Sequence, residues 1–289
     1  MIIVQKTFTI KKPILYLVST PIGNMSDLSF RALEILKKVD YILAEDTRQS
    51  RKIFNYYNFK NKLISLYKYN EKKNLNKILF LLESNKNLAL ISDAGTPLIN
   101  DPGFFLVKEI KQKGFYVTSI PGPSAFLTAF TVSSLRLPFI FLGFFPRDKK
   151  NQEKLFLNYI LFQGTIIFYE SALRINKTLV LIKKNFPSSN ISLSRELTKK
   201  FETIISGDID SVLKEKLSLK GEYVLLVENF YNKTNLYSNL SLDDHIMFFL
   251  KRGFSQKESF SKVAKERKIT KREIYRRYKI LKKSIKEKF

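Results

Sequence analysis

The chain reads as an α/β protein in two halves followed by a small all-helical module. Three observations carry that reading. Blocks rich in Ile, Leu, Val, Tyr and Phe recur between amphipathic stretches, a Pro-Gly-Pro run at Pro121-Gly122-Pro123 interrupts the pattern, and strand signals stop from Ser241 onward. Continuous apolar strands alternating with helices indicate sheets covered on both faces. A length of 289 residues also suits about two domains.

The strand-like blocks fall at residues 14–19, 41–44, 88–92, 115–120, 139–143, 165–169, 191–195 and 222–228, with helical periodicity at 29–38, 74–84 and 124–134. Eight strands are more than one compact sheet needs, and the Pro-Gly interruption near Gly122 to Ser124 is the natural division. The expected domains are therefore 1–122, 123–236 and 237–289. In the last 49 residues, 16 Lys and Arg stand against 6 Asp and Glu, a net of +10. Three N-cap signatures follow one another there: Ser241 with Asp244, Ser255 with Glu258, and Thr270 with Glu273. Each precedes an apolar face, and Gly253 separates the first two. Three short helices, the last one basic and Tyr-bearing, have the layout of a helix-turn-helix-like nucleic-acid module. Arg272, Arg276 and Arg277 are its expected RNA contacts.

Composition narrows the chemistry. The chain has 51 Lys and Arg against 26 Asp and Glu, a formal charge of +25, which points to a polyanionic partner. Lys outnumbers Arg 39 to 12, and Asn, Ile and Phe are abundant, so part of the excess matches drift toward AT-rich codons. There is no Cys and a single His, His245. Disulfides, thiolate metal sites, two-histidine metal sites and cysteine nucleophiles are thereby removed, and a Ser-His-Asp triad is disfavoured. No metal is expected. No apolar run approaches the 18 or so residues that span a bilayer, and the first 20 residues lack a leader-like pattern, so a cytoplasmic location is the expectation. No Gly-x-x-x-x-Gly-Lys occurs, and none of the ten glycines lie two apart. A P-loop and a dinucleotide fingerprint are both absent.

The loops after three of the strands carry the strongest signal. They are Ser19-Thr-Pro-Ile-Gly-Asn24, Ser92-Asp-Ala-Gly-Thr-Pro-Leu-Ile-Asn-Asp-Pro-Gly103 and Pro121-Gly-Pro-Ser124. All three would lie beyond the carboxyl ends of their strands, where open α/β sheets bind ligands. A cofactor with an adenosine but no phosphate needs only shaped loops of this kind.

Together with Ala44-Glu-Asp-Thr-Arg48, Phe168-Tyr-Glu-Ser171, Ser194-Arg-Glu-Leu-Thr-Lys199 and Lys220-Gly-Glu-Tyr-Val-Leu-Leu-Val-Glu228, these loops resemble the ribosomal RNA small subunit methyltransferase I family. That family lies in the tetrapyrrole-methylase superfamily. The resemblance covers about residues 14–230, and the basic tail resembles the family's C-terminal helical domain. It implies a two-domain fold with S-adenosyl-L-methionine in the cleft. It also implies methyl transfer to the ribose 2′-hydroxyl of a cytidine in the decoding region of small-subunit (16S) ribosomal RNA, free or in the 30S particle. Superfamily relatives are commonly dimers, so a homodimer belongs to the expectation. The resemblance sets Pro21, Gly23, Asp93, Ala94, Gly95, Thr96, Ile99, Gly122 and Tyr169 around the cofactor. Relatives tend to carry His-Asn-Glu where this chain has Tyr69-Asn70-Glu71.

A ribose hydroxyl attacks a methyl carbon only as its proton leaves, so a carboxylate or amine must lie within hydrogen-bonding reach. The carboxylates on expected strand ends are Glu45, Asp46, Asp93, Asp101, Glu170 and Glu196. Glu170 is the first choice, because the resemblance places it near the methyl group, with Asp46 and Glu196 beside it. Asp101, before Pro102, also suits a helix N-cap. Arg48 and Arg195 can hold RNA phosphate or orient carboxylates. Tyr56, Tyr57, Tyr67 and Tyr69, interleaved with lysines, suit an RNA surface. Two other readings stay open: a tetrapyrrole C-methyltransferase on the same scaffold, and a non-catalytic RNA-binding assembly factor.

Overall fold

The computed structural model describes residues 4–9, 12–229, 241–251, 253–276 and 278. The body contains two five-stranded sheets, and the chain passes from one to the other between Ile120 and Phe139.

The first sheet is built from β1 (Ile14–Val18), β2 (Tyr41–Ala44), β3 (Lys62–Ser65), β4 (Leu88–Ile91) and β5 (Tyr116–Ile120), in the order β3-β2-β4-β1-β5. Every pairing is parallel. Parallel neighbours need crossover helices, and these are α1 (Phe30–Lys38), α2 (Thr47–Tyr57), α3 (Glu71–Glu83) and α4 (Phe104–Gln112). The helices cover both faces, which is why Leu-Ala-Leu-Ile of β4 is buried at all four positions. One core packs Leu36, Ile42, Phe54 and Ala89; the other packs Leu15, Leu43, Ile78 and Leu106.

The helix α5 (Ala125–Val132) leads into the second sheet, whose core on that side joins Ala129 to Ile167, Val224 and Leu226. This sheet holds β6 (Phe139–Phe144), β7 (Gly164–Ser171), β8 (Asn190–Arg195), β9 (Thr203–Asp208) and β10 (Glu222–Asn229), in the order β6-β7-β10-β8-β9. Only β6 and β7 are parallel; the other three pairings are antiparallel. On its other face α6 (Lys149–Tyr159), α7 (Ile175–Asn185) and α8 (Ile209–Lys214) enclose a core that includes Phe145, Phe168, Phe186 and Leu225. The structure thus has ten strands where eight were expected. The two additional ones, β3 and β9, are edge strands with a single buried residue between them, Ile64.

In the tail, α9 (Leu242–Lys251) and α10 (Gln256–Arg267) are followed by helical backbone over residues 271–276. The three expected caps form. The Asp244 amide donates to Ser241 Oγ at 3.0 Å, Ser255 and Glu258 make a reciprocal capping box, and Thr270 and Glu273 do the same. Phe249, Phe260, Val263 and Ile274 fill the module's core, against which Ile160 and Leu161 of the body pack. Among the described residues, no helix is long and apolar enough to cross a membrane.

Candidate active site

The loops after β1, β4 and β5 are stitched into one surface at the carboxyl edge of the first sheet. Thr20 and Gly95 exchange backbone hydrogen bonds of 2.8 and 3.0 Å. Ser19 Oγ donates to Thr96 Oγ1 at 3.1 Å, and Thr96 Oγ1 donates to the Pro123 carbonyl at 3.1 Å. Gly122 sits so close that a Cβ there would lie 2.9 Å from Ser19 Cβ. The three loops expected from sequence to lie in register are joined by these contacts.

Between this surface and the second sheet lies a cavity of about 340 Å³. The first half supplies Ile22, Glu45, Asp93, Ala94, Gly95, Thr96, Ile99, Asn100 and Asp101. The second half supplies Phe144, Tyr169, Ser194, Glu196, Lys199 and Val224 among others. Ser194, Val224 and Tyr169 are register partners across β8, β10 and β7, so they form one row across the sheet. Gly95 has φ +86°, a conformation that costs other residues about 1–2 kcal/mol. Leu98, Asn100, Glu196 and Thr198 adopt positive φ without being glycine. Backbone strain of this kind concentrates at ligand sites.

The lining is acidic although the chain is basic. Among the described residues it holds Glu45, Asp93, Asp101, Glu196 and Glu222 against one cation, Lys199, which pairs with Glu196 at 3.1 Å. Burial, then the charges of Asp93 and Asp46, push the Glu45 carboxyl up. Asp93 is also raised, chiefly by burial, although the Asp46 amide donates to its Oδ1 at 3.1 Å. Asp101 is raised to about 6 by burial first and the Glu45 charge second, against a hydrogen bond from Ser92 that favours its charged form. Burial pushes Tyr169 up to about 12, with the Asp101 and Glu222 charges adding to it. Such a cluster is relieved by a cationic ligand.

The expected residues divide by location. Asp93, Ala94, Gly95, Thr96, Ile99, Tyr169 and Glu196 line the cavity. Pro21, within the first loop, is buried. Gly23 packs on Lys199 and Thr198 of the second half, and the neighbouring Asn24 amide donates to Thr198 Oγ1 at 3.0 Å. Gly122 serves the loop contact described above.

The first-choice carboxylate lies elsewhere. Adjacent strand residues point to opposite faces, so with Tyr169 toward the cavity, Glu170 turns to the α7 side. There it is 1% exposed, accepts from Thr178 Oγ1 at 2.6 Å and from the Ser171 amide at 2.8 Å, and pairs with Arg174 at 3.3 Å. It braces β7 against α7. Asp46 is the N-cap of α2, accepting from the Arg48 amide at 2.8 Å. The Arg48 guanidinium binds the same carboxylate through two further contacts of 3.0 and 2.8 Å, and these hold its pKa down at about 2. Asp101 is not a helix cap: Gly103 occupies that position in α4, and Glu71 receives the helix amides instead. Arg195 Nε donates to the Lys220 carbonyl at 2.8 Å. Arg272 and Arg276 are exposed on the tail, and Arg277 lies outside the described residues.

Glu45 and Asp101, named from the sequence among the candidate carboxylates but ranked behind Glu170, Asp46 and Glu196, line the cavity, and so does Ser194, which the sequence did not single out. Ser194 Oγ is the telling atom: the residue is 1% exposed, lines the cavity and has no hydrogen-bond partner among the described residues. A buried hydroxyl without a partner costs about 1–3 kcal/mol until a ligand satisfies it. S-adenosylmethionine, with a sulfonium, an ammonium and ribose hydroxyls, suits this donor and acceptor set. Among the described residues, no group of three or more Asp, Glu or His is placed to hold a metal ion.

Comparison with known proteins agrees with the geometry. The family model for tetrapyrrole (corrin/porphyrin) methylases matches residues 14–213. Ribosomal RNA small subunit methyltransferase I of Bacillus subtilis is 40% identical over 275 residues, 92% of this chain and 94% of that protein. Its namesake in Mycoplasmopsis pulmonis is 47% identical over 214 residues, 73% of this chain and 96% of that protein. Among solved structures, diphthine synthase superposes with a TM-score of 0.60 at 11% identity, over 79% of this chain and 94% of that one. A uroporphyrin-III C-methyltransferase from Thermus thermophilus gives 0.52 at 16% identity, over 75% and 94%. At such low identity these two speak for the fold alone. The sequence relatives go further: the chain belongs to the tetrapyrrole methylase family and, within it, to the ribosomal RNA small subunit methyltransferase I family.

Proposed function

We propose that the chain is a cytoplasmic S-adenosylmethionine-dependent methyltransferase acting on small-subunit ribosomal RNA, at the ribose 2′-hydroxyl of a cytidine in the decoding region. The observation that carries this reading is an acidic cavity set in a protein of charge +25. The cavity suits a cationic cofactor, and the basic exterior suits a polyanionic substrate.

In this reading Gly95, Thr96 and Ile99 shape one wall and Ser194 and Tyr169 the other. Held there, S-adenosylmethionine would supply an electrophilic methyl group with a neutral thioether as leaving group. The chain's part is to align the hydroxyl, exclude water and take up the proton. Asp101 takes it at a carboxylate oxygen. Its pKa of about 6 leaves it largely ionised at pH 7.5 yet more basic than an ordinary aspartate. Ser92 orients it. Arg272 and Arg276 extend the phosphate-binding surface onto the tail.

The test is transfer of labelled methyl from S-adenosylmethionine to small subunits that lack the modification. Label on subunit RNA is expected. Tight cofactor binding without label on RNA, but with label on a tetrapyrrole, would overturn the reading.

A further inference from the structure

Tyr69 is 88% exposed and Phe104 is 75% exposed. What sets these two exposed rings apart is their place, on a turn and a helix start that the structure fastens together beside the cavity. The turn leaves β3 beside the cavity edge, where the Leu66 amide still donates to the Ala44 carbonyl at 2.8 Å and Glu45 follows at once. Asn70 then pins it: its Oδ1 accepts from the Tyr67 amide at 2.8 Å, and its Nδ2 donates to the Ser65 carbonyl at 3.1 Å. Glu71 is buried, and its two carboxylate oxygens accept from the Gly103 amide at 2.9 Å and the Leu106 amide at 3.3 Å. Gly103 is the residue before Phe104 and two beyond Asp101. One carboxylate thus ties the Tyr69 turn, the start of α4 and the end of the cavity loop into a single unit.

The exposed charges on the turn and the first residues of α3 have one sign. Lys68, Lys72 and Lys73 are exposed on the same turn and first helical residues, and Lys72 Nζ lies 5.9 Å from the Phe105 ring centre. Exposed aromatic rings on a fastened backbone, among lysines and beside the cavity, are suited to unpaired nucleotides. Bases stack on the rings while the backbone phosphates meet the ammonium groups. The fastened backbone matters here, because a turn ordered before binding loses little entropy when the base arrives.

We propose that Tyr69 and Phe104, fixed by Glu71, form a stacking platform for an unpaired base next to the ribose presented to the cavity. This rests on the reading that the substrate is RNA. The platform selects single-stranded over duplex substrate, because a paired base has no free face to offer it.

The chain contains no Trp, so Tyr69→Trp creates a single fluorescent reporter at the platform. Its emission should be quenched by a single-stranded RNA spanning the target and left unchanged by the same sequence in a duplex. In the otherwise native protein, Tyr69→Ala and Phe104→Ala should each weaken binding of unmodified subunits about 5- to 150-fold. Cofactor affinity and melting temperature should not move, and Tyr69→Phe should restore binding. Unchanged emission when RNA binds, equal quenching by duplex, or alanine variants that alter self-association but not RNA affinity would each overturn the proposal. A wild-type protein that methylates its RNA alongside an equally active Tyr69→Ala, Phe104→Ala double variant would overturn the platform alone. A wild-type protein that binds no RNA would overturn the function reading and the platform with it.

Discussion

Asp101→Asn should make the protein more stable and less active, and the stability gain should depend on pH. Moving a carboxyl group from 3.8 to about 6 disfavours its charged form by about 3 kcal/mol at 1.36 kcal/mol per pH unit. Asp101 keeps some solvent contact, so screening reduces the usable figure to about 1–2 kcal/mol. The sign follows from linkage. With the folded pKa above the unfolded one, Asp101 favours the fold fully below about pH 4, and that contribution is lost as pH rises through 6. Asparagine is nearly isosteric with aspartate and does not titrate. The variant should therefore exceed wild type by about 1–2 kcal/mol at pH 8, a rise of about 2–4 °C in midpoint per kcal/mol, and the gap should shrink toward pH 4. Methyl transfer should fall about 100- to 10,000-fold, as loss of a proton acceptor does. Urea unfolding at pH 8, 6 and 4, with single-turnover transfer at pH 8, measures both. A variant less stable at pH 8, or a difference that ignores pH, would refute the electrostatic account of the site.

Three further outcomes follow from the geometry. Gly95→Trp should abolish cofactor binding in a calorimetric titration while leaving RNA affinity within about twofold, since the side chain would fill the cavity. Glu71→Ala should cost about 2–4 kcal/mol in chemical unfolding, because two buried amides lose their acceptor; Glu71→Gln, which keeps one acceptor oxygen, should cost about half that. Arg272→Glu with Arg276→Glu should flatten the salt dependence of RNA binding by about 0.7 per lost phosphate contact, with cofactor affinity unchanged.

The central strands were legible because they are buried on both faces and read as unbroken apolar runs, as β4 and β10 do. The edge strands β3 and β9 were not, since Lys62-Leu-Ile-Ser and Thr203-Ile-Ile-Ser-Gly-Asp leave most side chains in water and show no buried period. The tail helices were announced by their caps, because Ser or Thr three residues before Glu satisfies two helix amides locally and needs no tertiary partner.

Side-chain direction was the harder matter. The Phe168-Tyr-Glu-Ser171 run marks a strand end at the cavity, but a one-residue step separates Tyr169, facing the ligand space, from Glu170, facing α7. Register across β7, β10 and β8 decides between them, and register is a long-range property. Glu71 shows the same limit from the other side. In Tyr69-Asn70-Glu71 the sequence drew attention to the ring, while the carboxylate does the fastening through amides more than 30 positions away. Asp101 reads as a cap in sequence because it precedes Pro102, yet Gly103 at φ +116° starts the helix and leaves Asp101 to the cavity.

The most direct test of the account is the position of the methyl group on the RNA. Subunit RNA labelled by this protein would be hydrolysed in alkali and its products separated. A 2′-O-methyl group removes the hydroxyl that attacks the neighbouring phosphodiester, so the account predicts one alkali-resistant labelled dinucleotide beginning with cytidine. Label released as a mononucleotide would place the methyl on a base and contradict the account.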